Sequence, residues 1–347
     1  MRNAVAKRHE RLIGRRMTTP PTPNPKRLAA RAMVLSGGRA SGLRLLDDTG
    51  TLALVLDVSG LDDAARGQLE TALRTGLLAE PGVAAVRVAM TAERQRIAII
   101  AVGSGKGGVG KSTLATNIAV ALYRQGRRVG LVDADIHGPS QPRLFGSEGI
   151  KPESRGSKLV PVPNAFGVPM LSTGQIAAPG QAIAWRGPMA GKALDQLIDA
   201  AWGDTELLIV DLPPGTGDVQ LSMISRHKPI GAVIVSTPQD LALMDAARAI
   251  GLFEQADVPI IGMVENMAGY LCPHCGEFSE PFGMGGAEAV AAAMGLDFLG
   301  RVPLDIGIRT ASDAGEPPAA GDGVLARPFT AIAARIGAWL DARKAGG

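Results

Sequence analysis

Cysteine is almost missing: a chain of 347 residues holds two, Cys272 and Cys275. That excludes a disulfide framework, and the C-x-x-C spacing points to a metal or redox site before a structural bridge. Aromatic residues are scarce at 3%, too few to build base-stacking platforms for nucleic acid. The core must rest on Val, Ile, Leu, Met and Ala, which suits a sheet covered by helices. Long apolar runs are missing too: none reaches the roughly 18 residues of a membrane span, and the basic start lacks the apolar middle of a secretory signal. Charge of one sign is in short supply. The formal net charge is only +3, and much of it sits in the first forty residues, where Glu10 is the single acid. The near-neutral body offers no basic stripe, so neither a nucleic-acid partner nor stable membrane association is expected, and the cytoplasm is the expected location.

What is present is organised in three parts. Residues 1–40 read as a disordered basic tail, or as sequence ahead of a start at Met17; Pro20, Pro21, Pro23 and Pro25 argue against an amphipathic transit helix. Residues 41–92 read as a small α/β domain: TLALVLDVS as a strand, DDAARGQLETALRTGLLA as a helix and GVAAVRVAMTA as a second strand. Residues 97–347 alternate short apolar runs with helical stretches. IAIIAVGS, RRVGLVDAD, ELLIVDLPPG, GAVIVSTP and IIGMVENM predict a doubly wound, mainly parallel sheet. In such folds ligands gather at the carboxyl ends of the strands.

Gly105, Lys106, Gly107, Gly108, Val109, Gly110, Lys111, Ser112 and Thr113 satisfy G-x-x-x-x-G-K-[ST] between a predicted strand and the helix-like TLATNIAVALYRQ. Backbone N–H groups of such a loop cradle phosphates at a helix N-terminus. Lys111 is expected at the β and γ phosphates of ATP and Ser112 on Mg²⁺. Asp211 ends an apolar strand where a carboxylate that holds Mg²⁺ through its water shell belongs. Asp135 is expected to orient the attacking water, with Asp133 nearer the metal, although strand-terminal aspartates also serve as turn or cap residues. Gly215 and Gly217 give the Asp211 loop the freedom to answer the γ phosphate.

Lys106, inside the loop, is the signature lysine of the deviant Walker A ATPases, and the chain resembles that group, which includes the nitrogenase iron protein, MinD and ParA. The resemblance implies a homodimer in which Lys106 reaches the partner's phosphates, and it places Asn266 at the adenine edge. DADIHGPSQP, WRGPM, DLPPGTGD, VENMAGYLCPHCGE and RVPLDIGIRTASDAGEP narrow the likeness to the Mrp/ApbC family of iron-sulfur cluster carriers, from about residue 97 onward. That family implies slow ATP hydrolysis, a homodimer and delivery of a [4Fe-4S] cluster to apo-proteins. The region of residues 41–92 resembles a shortened form of a small domain that precedes the ATPase in bacterial members. It departs from them in having no cysteine, which favours a docking or structural role.

A [4Fe-4S] cluster takes four thiolates and structural zinc takes four ligands. One chain offers Cys272 and Cys275, with His274 wedged between them. A two-fold axis would bring the second pair. Thiolates suit either metal, so zinc remains open, and so do a plain turn and a redox pair. Two other functions use related architectures: a zinc-bridged dimeric targeting ATPase, and a MinD/ParA-like positioning ATPase. The latter draws on Phe329, Ile332, Ile336 and Leu340, spaced as a membrane-binding helix or as a closing helix packed on the sheet.

Overall fold

The computed structural model describes residues 24–46, 50–59, 61, 63–91, 97–136, 138–176 and 188–345. The chain divides into two compact units, 1–95 and 96–347. In the first, helix α1 (Pro25–Leu35) is followed by strands β1 (Ala40–Leu45) and β2 (Thr51–Asp57), helix α2 (Asp63–Leu78) and strand β3 (Ala85–Thr91). The sheet order is β1-β2-β3, antiparallel then parallel. Leu52, Leu54 and Leu56 alternate inward and meet Leu28 and Ala32 of α1 and Leu73 and Leu77 of α2.

The expected disordered tail over residues 1–40 is corrected over its last part, because Pro25–Leu35 is a capped helix and Ala40 opens β1. The Asn24 side chain accepts from the backbone N–H groups of Lys26 and Arg27, and Pro25 occupies the first helical position, where no N–H is needed. Pro25 therefore starts a helix rather than breaking one.

The second unit opens with β4 (Ala98–Gly103), α3 (Lys111–Arg124), β5 (Val129–Asp133) and α4 (Gln141–Leu144). A small hairpin, β6 (Ser154–Arg155) with β7 (Lys158–Leu159), precedes β8 (Met170–Ser172), α5 (Thr173–Ile176) and α6 (Pro188–Ile198). Then come β9 (Leu207–Asp211), α7 (Asp218–Ser222), β10 (Gly231–Ser236), α8 (Asp240–Glu254) and β11 (Ile260–Leu271). The chain ends with β12 (Phe278–Ser279), α9 (Gly286–Ala293), β13 (Phe298–Leu304), α10 (Ile306–Asp313) and α11 (Arg327–Ala345).

Eight of these strands form one sheet in the order β12-β11-β10-β4-β9-β5-β8, with β13 also paired to β11. Every pairing is parallel except β11 with β12. Strand order reverses at β4: the chain moves outward through β5 and β8, returns to β9, and crosses to β10. Loops diverge at such a switch point and leave a crevice at the carboxyl ends. β4 is apolar on both faces, as a central parallel strand must be. Ile100 and Val102 pack with α3 and α11, whereas Ile99 and Ala101 pack with α6 and α8. Phe329, Ile332, Ile336 and Leu340 of α11 are all buried in the first of these layers. Their spacing is that of a closing helix packed on the sheet.

Candidate nucleotide and metal sites

The phosphate loop connects β4 to α3 at the switch point. Residues 106–113 line a cleft of about 260 Å³ together with Ser104, Asp135, Gly138 and Pro214. A larger groove of about 520 Å³ runs along the far end of α3 against α11, lined by Ala121, Arg124 and Ala331 among others. The larger groove contains none of the residues of the G-x-x-x-x-G-K-[ST] loop, all of whose residues from Lys106 to Thr113 line the smaller cleft. Gly105 is required by close approach, since a Cβ there would lie 2.0 Å from the Asp245 carbonyl carbon in α8.

Lys111 is buried and forms an ion pair with the Asp211 carboxylate at the end of β9, with Ser112 Oγ 3.3 Å from its Nζ. Gln141, at the start of α4, ties the site together. Its Nε2 donates to Asp211 Oδ2 at 2.8 Å and to the Ser112 carbonyl at 3.0 Å, while its Oε1 accepts from Thr116 Oγ1 at 2.5 Å. Its backbone N–H donates to Asp133 Oδ2 at 3.1 Å. Asp133 also accepts from Ser172 Oγ at 2.9 Å and from the Asp135 N–H at 3.2 Å. Burial, and then the nearby Asp211 carboxylate, push Asp133 up to about 7 despite these hydrogen bonds, which act in the other direction. Asp135 lines the cleft and accepts from the Gly138 N–H at 3.2 Å.

Ser112 and Asp135 line the cleft, and Asp211 lies behind them, tied through Gln141 to the Ser112 carbonyl; their donors are oxygens, the type that Mg²⁺ takes, so the residues present fit that ion. Pro213, Gly215 and Gly217 follow Asp211. This loop is held by Gln220, whose Nε2 donates to the Gly215 carbonyl at 2.8 Å and whose Oε1 accepts from the Gly217 N–H at 2.9 Å. The Gly215 N–H reaches back to the Ser104 carbonyl at 2.9 Å. The Lys106 carbonyl accepts from Ser104 Oγ at 3.0 Å, but its side chain turns away from this network. It is half-buried, and among the described residues its Nζ donates to Gln239 Oε1 at 3.3 Å. Asn266 lies beside the loop, but its amide Nδ2 donates to the Val109 carbonyl at 2.8 Å.

Cys272 and Cys275 occupy the tip of the hairpin formed by β11 and β12. The Cys272 N–H donates to the Glu277 carbonyl at 2.9 Å and the Gly276 N–H donates to the Cys272 carbonyl at 2.9 Å, closing the turn. Both thiols are free; Cys272 is half-buried and Cys275 exposed. Backbone N–H groups of Cys275 and His274, and then the Cys275 thiol, hold the Cys272 thiol below its ordinary value. Such a turn of N–H groups stabilises thiolate, the form that binds metal. His274 is exposed. Among the described residues no group of three or more His, Cys, Asp or Glu side chains is gathered to hold a metal. The pair therefore lacks further ligands from its own described chain.

Sequence reasoning missed Gln141, although it lies within the quoted DADIHGPSQP. A buried glutamine that opens a helix four residues long has no periodic or motif signal; only its contacts disclose it. Gln239, the partner of Lys106, was equally silent. Of WRGPM, residues 185–187 lie outside the described residues, and Pro188 and Met189 open α6.

The switch-point phosphate loop, its paired lysines and its carboxylates define a P-loop nucleoside triphosphatase. A family model described as ParA, NUBPL iron-transfer P-loop NTPase, matches residues 96–337. The chain belongs to that family. It is 42% identical over 290 residues to an iron-sulfur cluster carrier protein of Deinococcus radiodurans, covering 80% of this chain and 82% of the relative. Among solved structures it is similar to a nucleotide-binding protein from Archaeoglobus fulgidus in complex with ADP, with a TM-score of 0.57 and 39% identity over 64% of this chain and 88% of that one. The cell-division ATPase MinD of Pyrococcus furiosus, at 23% identity, a TM-score of 0.51 and coverage of 70% and 99%, shares the fold.

Proposed function

We propose that the protein carries a [4Fe-4S] cluster between two copies of itself, held by Cys272 and Cys275 of each, and hands it to apo-proteins in the cytoplasm under the control of ATP. One observation carries this reading. The cysteine pair sits at the open tip of a hairpin that continues directly from β11, whose Asn266 is bonded to the phosphate loop. Nucleotide and cargo are thus held by one strand. Four thiolates complete the cluster only when two tips meet, so an isologous contact supplies what one chain lacks.

In the nucleotide cleft, Lys111 moves from Asp211 to the β and γ phosphates, where it offsets charge as the terminal phosphoryl group departs. Mg²⁺, bound by Ser112 and Asp211, would supply further charge neutralisation between the phosphates. Asp135 orients the water that attacks the γ phosphorus, and the products are ADP and inorganic phosphate. Lys106, whose ammonium is held by a single hydrogen bond to Gln239, reaches the phosphates of the second copy, so hydrolysis waits on dimer closure. Slow turnover suits a switch better than a pump.

Anaerobic reconstitution with iron and sulfide tests the cargo. The expected product is brown, with four iron and four sulfide per two chains, about the content of a single cubane cluster, and Cys272→Ser abolishes it. Protein that stays colourless and instead retains stoichiometric zinc without sulfide would make it a zinc-bridged dimer and sink the carrier reading.

A further inference from the structure

Met267 lies within β11 yet has φ of +59°, in the left-handed region. An unstrained strand residue does not adopt this conformation, and a non-glycine side chain pays a free-energy penalty for it. Among the described residues the other two non-glycine residues with such a backbone, Lys228 and Asp257, follow helices, where the chain must turn. Met267 has no such turn to make. Its consequence is local: the pairing of β11 with β13 loses register between Asn266 and Tyr270.

The residues on either side are fixed. Before it, Asn266 is buried and its Nδ2 donates to the Val109 carbonyl of the phosphate loop at 2.8 Å. The fit is close, because a Cβ on Gly110 would lie 2.1 Å from that same nitrogen. After it, Gly269 has φ of +74°, and a Cβ there would lie 2.4 Å from the Phe278 ring. Tyr270 and Leu271 then pair with Ser279 and Phe278 to form the hairpin that ends in the two cysteines. The chain is thus anchored to the phosphate loop on one side of Met267 and locked into the hairpin on the other.

We propose that Met267 is the joint through which nucleotide at the phosphate loop repositions the cysteine hairpin. Phosphate binding draws loop N–H groups inward and reorients the peptide planes that carry them, Val109 among them. The Asn266 hydrogen bond passes that motion to the strand. Strain at Met267 biases the hairpin between two placements, and nucleotide tips the balance. Asn266 and Met267 are positioning residues, acting on the thiols through the strand. The inference rests on the carrier reading only in taking the cysteine pair as the cargo site.

The test reads the thiols of the metal-free protein, so it does not depend on cluster. Alkylation of Cys272 and Cys275 by iodoacetamide is followed by mass spectrometry with and without a non-hydrolysable ATP analogue, whose binding is monitored separately by a fluorescent ATP. Wild type is expected to change its alkylation rate at least threefold on binding nucleotide. Met267→Gly, which removes the penalty, is expected to bind nucleotide and lose the rate change; Met267→Ala, which keeps it, is expected to respond as wild type does. The joint is overturned by a wild type that does not respond, by a Met267→Gly variant that responds fully, or by a Met267→Ala variant that does not. Responsive thiols in a protein that takes up no cluster would sink the carrier reading and leave the joint standing.

Discussion

Lys111, which lines the nucleotide cleft, and Asp211, one hundred positions apart in the chain, form a buried ion pair. Each is the other's compensation for leaving water, since a buried charge without a partner is far more costly than a paired one. On the proposed function the pair is a resting arrangement, since the ammonium that neutralises Asp211 would be the one the phosphates need, and binding would exchange one set of partners for another.

Removing the carboxylate therefore has three measurable effects. Asp211→Asn leaves Lys111 without its counter-charge and should destabilise the nucleotide-free ATPase unit by about 3 kcal/mol. ATP should restore more stability to the variant than to wild type, because its phosphates re-pair the lysine. Hydrolysis should fall by about 100-fold or more through loss of electrostatic support at the reacting centre. Thermal melts with and without ATP, alongside phosphate release, check all three; an unchanged melting temperature without nucleotide would contradict the compensation argument.

The proton on Asp133 gives a pH dependence with a defined sign. Its folded value of about 7 lies above the ordinary 3.8, so the native state keeps a proton that the unfolded chain has lost. The stability this group contributes is full below the unfolded value, declines as pH rises, and is gone above about 7. Denaturant unfolding of the nucleotide-free protein should show stability decreasing between about pH 5 and pH 7. Asp133→Asn, which cannot ionise, should flatten that decline. A wild type whose stability rises over the same interval would contradict the assignment.

The Lys106 side chain is half-buried and donates to Gln239 through a single neutral hydrogen bond, so its loss should leave folding stability within about 0.5 kcal/mol. If it serves the second copy's phosphates, Lys106→Ala should lower hydrolysis by about 100-fold or more, as loss of a finger residue does. Titration with a fluorescent ATP and sedimentation in its presence would separate nucleotide capture from dimer closure. Full hydrolysis by the variant would remove the case for a contribution in trans.

At Gly105 the obstacle to a side chain is backbone, not a movable side chain. Gly105→Ala should push α8 off the phosphate loop and cost about 1–3 kcal/mol or more, the range for forced overpacking. ATP affinity should fall with it. An alanine variant with unaltered melting and binding would show that α8 yields more readily than its packing implies.

Much of this was legible in the sequence where the signal is local. Continuous apolar runs such as LLIVD gave away the central parallel strands, and the glycines and lysines of the phosphate loop specify their own geometry. The apolar pattern of the small unit shows its β-α-β core, but not β1 or α1. Arg and Pro near α1 read as tail, since a cap made by Asn24 with Pro25 looks in sequence like a turn. The hairpin strand β12 is two residues long, too short to leave a pattern. Gln141 and the bond from Asn266 to Val109 were illegible for a different reason. They are contacts between segments far apart in the chain, and composition does not encode which distant carbonyl an amide will meet. Met267 was equally silent, because methionine has no preference for the left-handed region.

The central claim is that two copies share one cluster through four thiolates. Native mass spectrometry of anaerobically reconstituted protein measures it most directly, because mass reports chains, iron and sulfide in a single species. The account predicts a dimer carrying four iron and four sulfide, absent from Cys272→Ser and Cys275→Ser alike. A cluster-bearing monomer, or a dimer that keeps its full complement after either substitution, would contradict it.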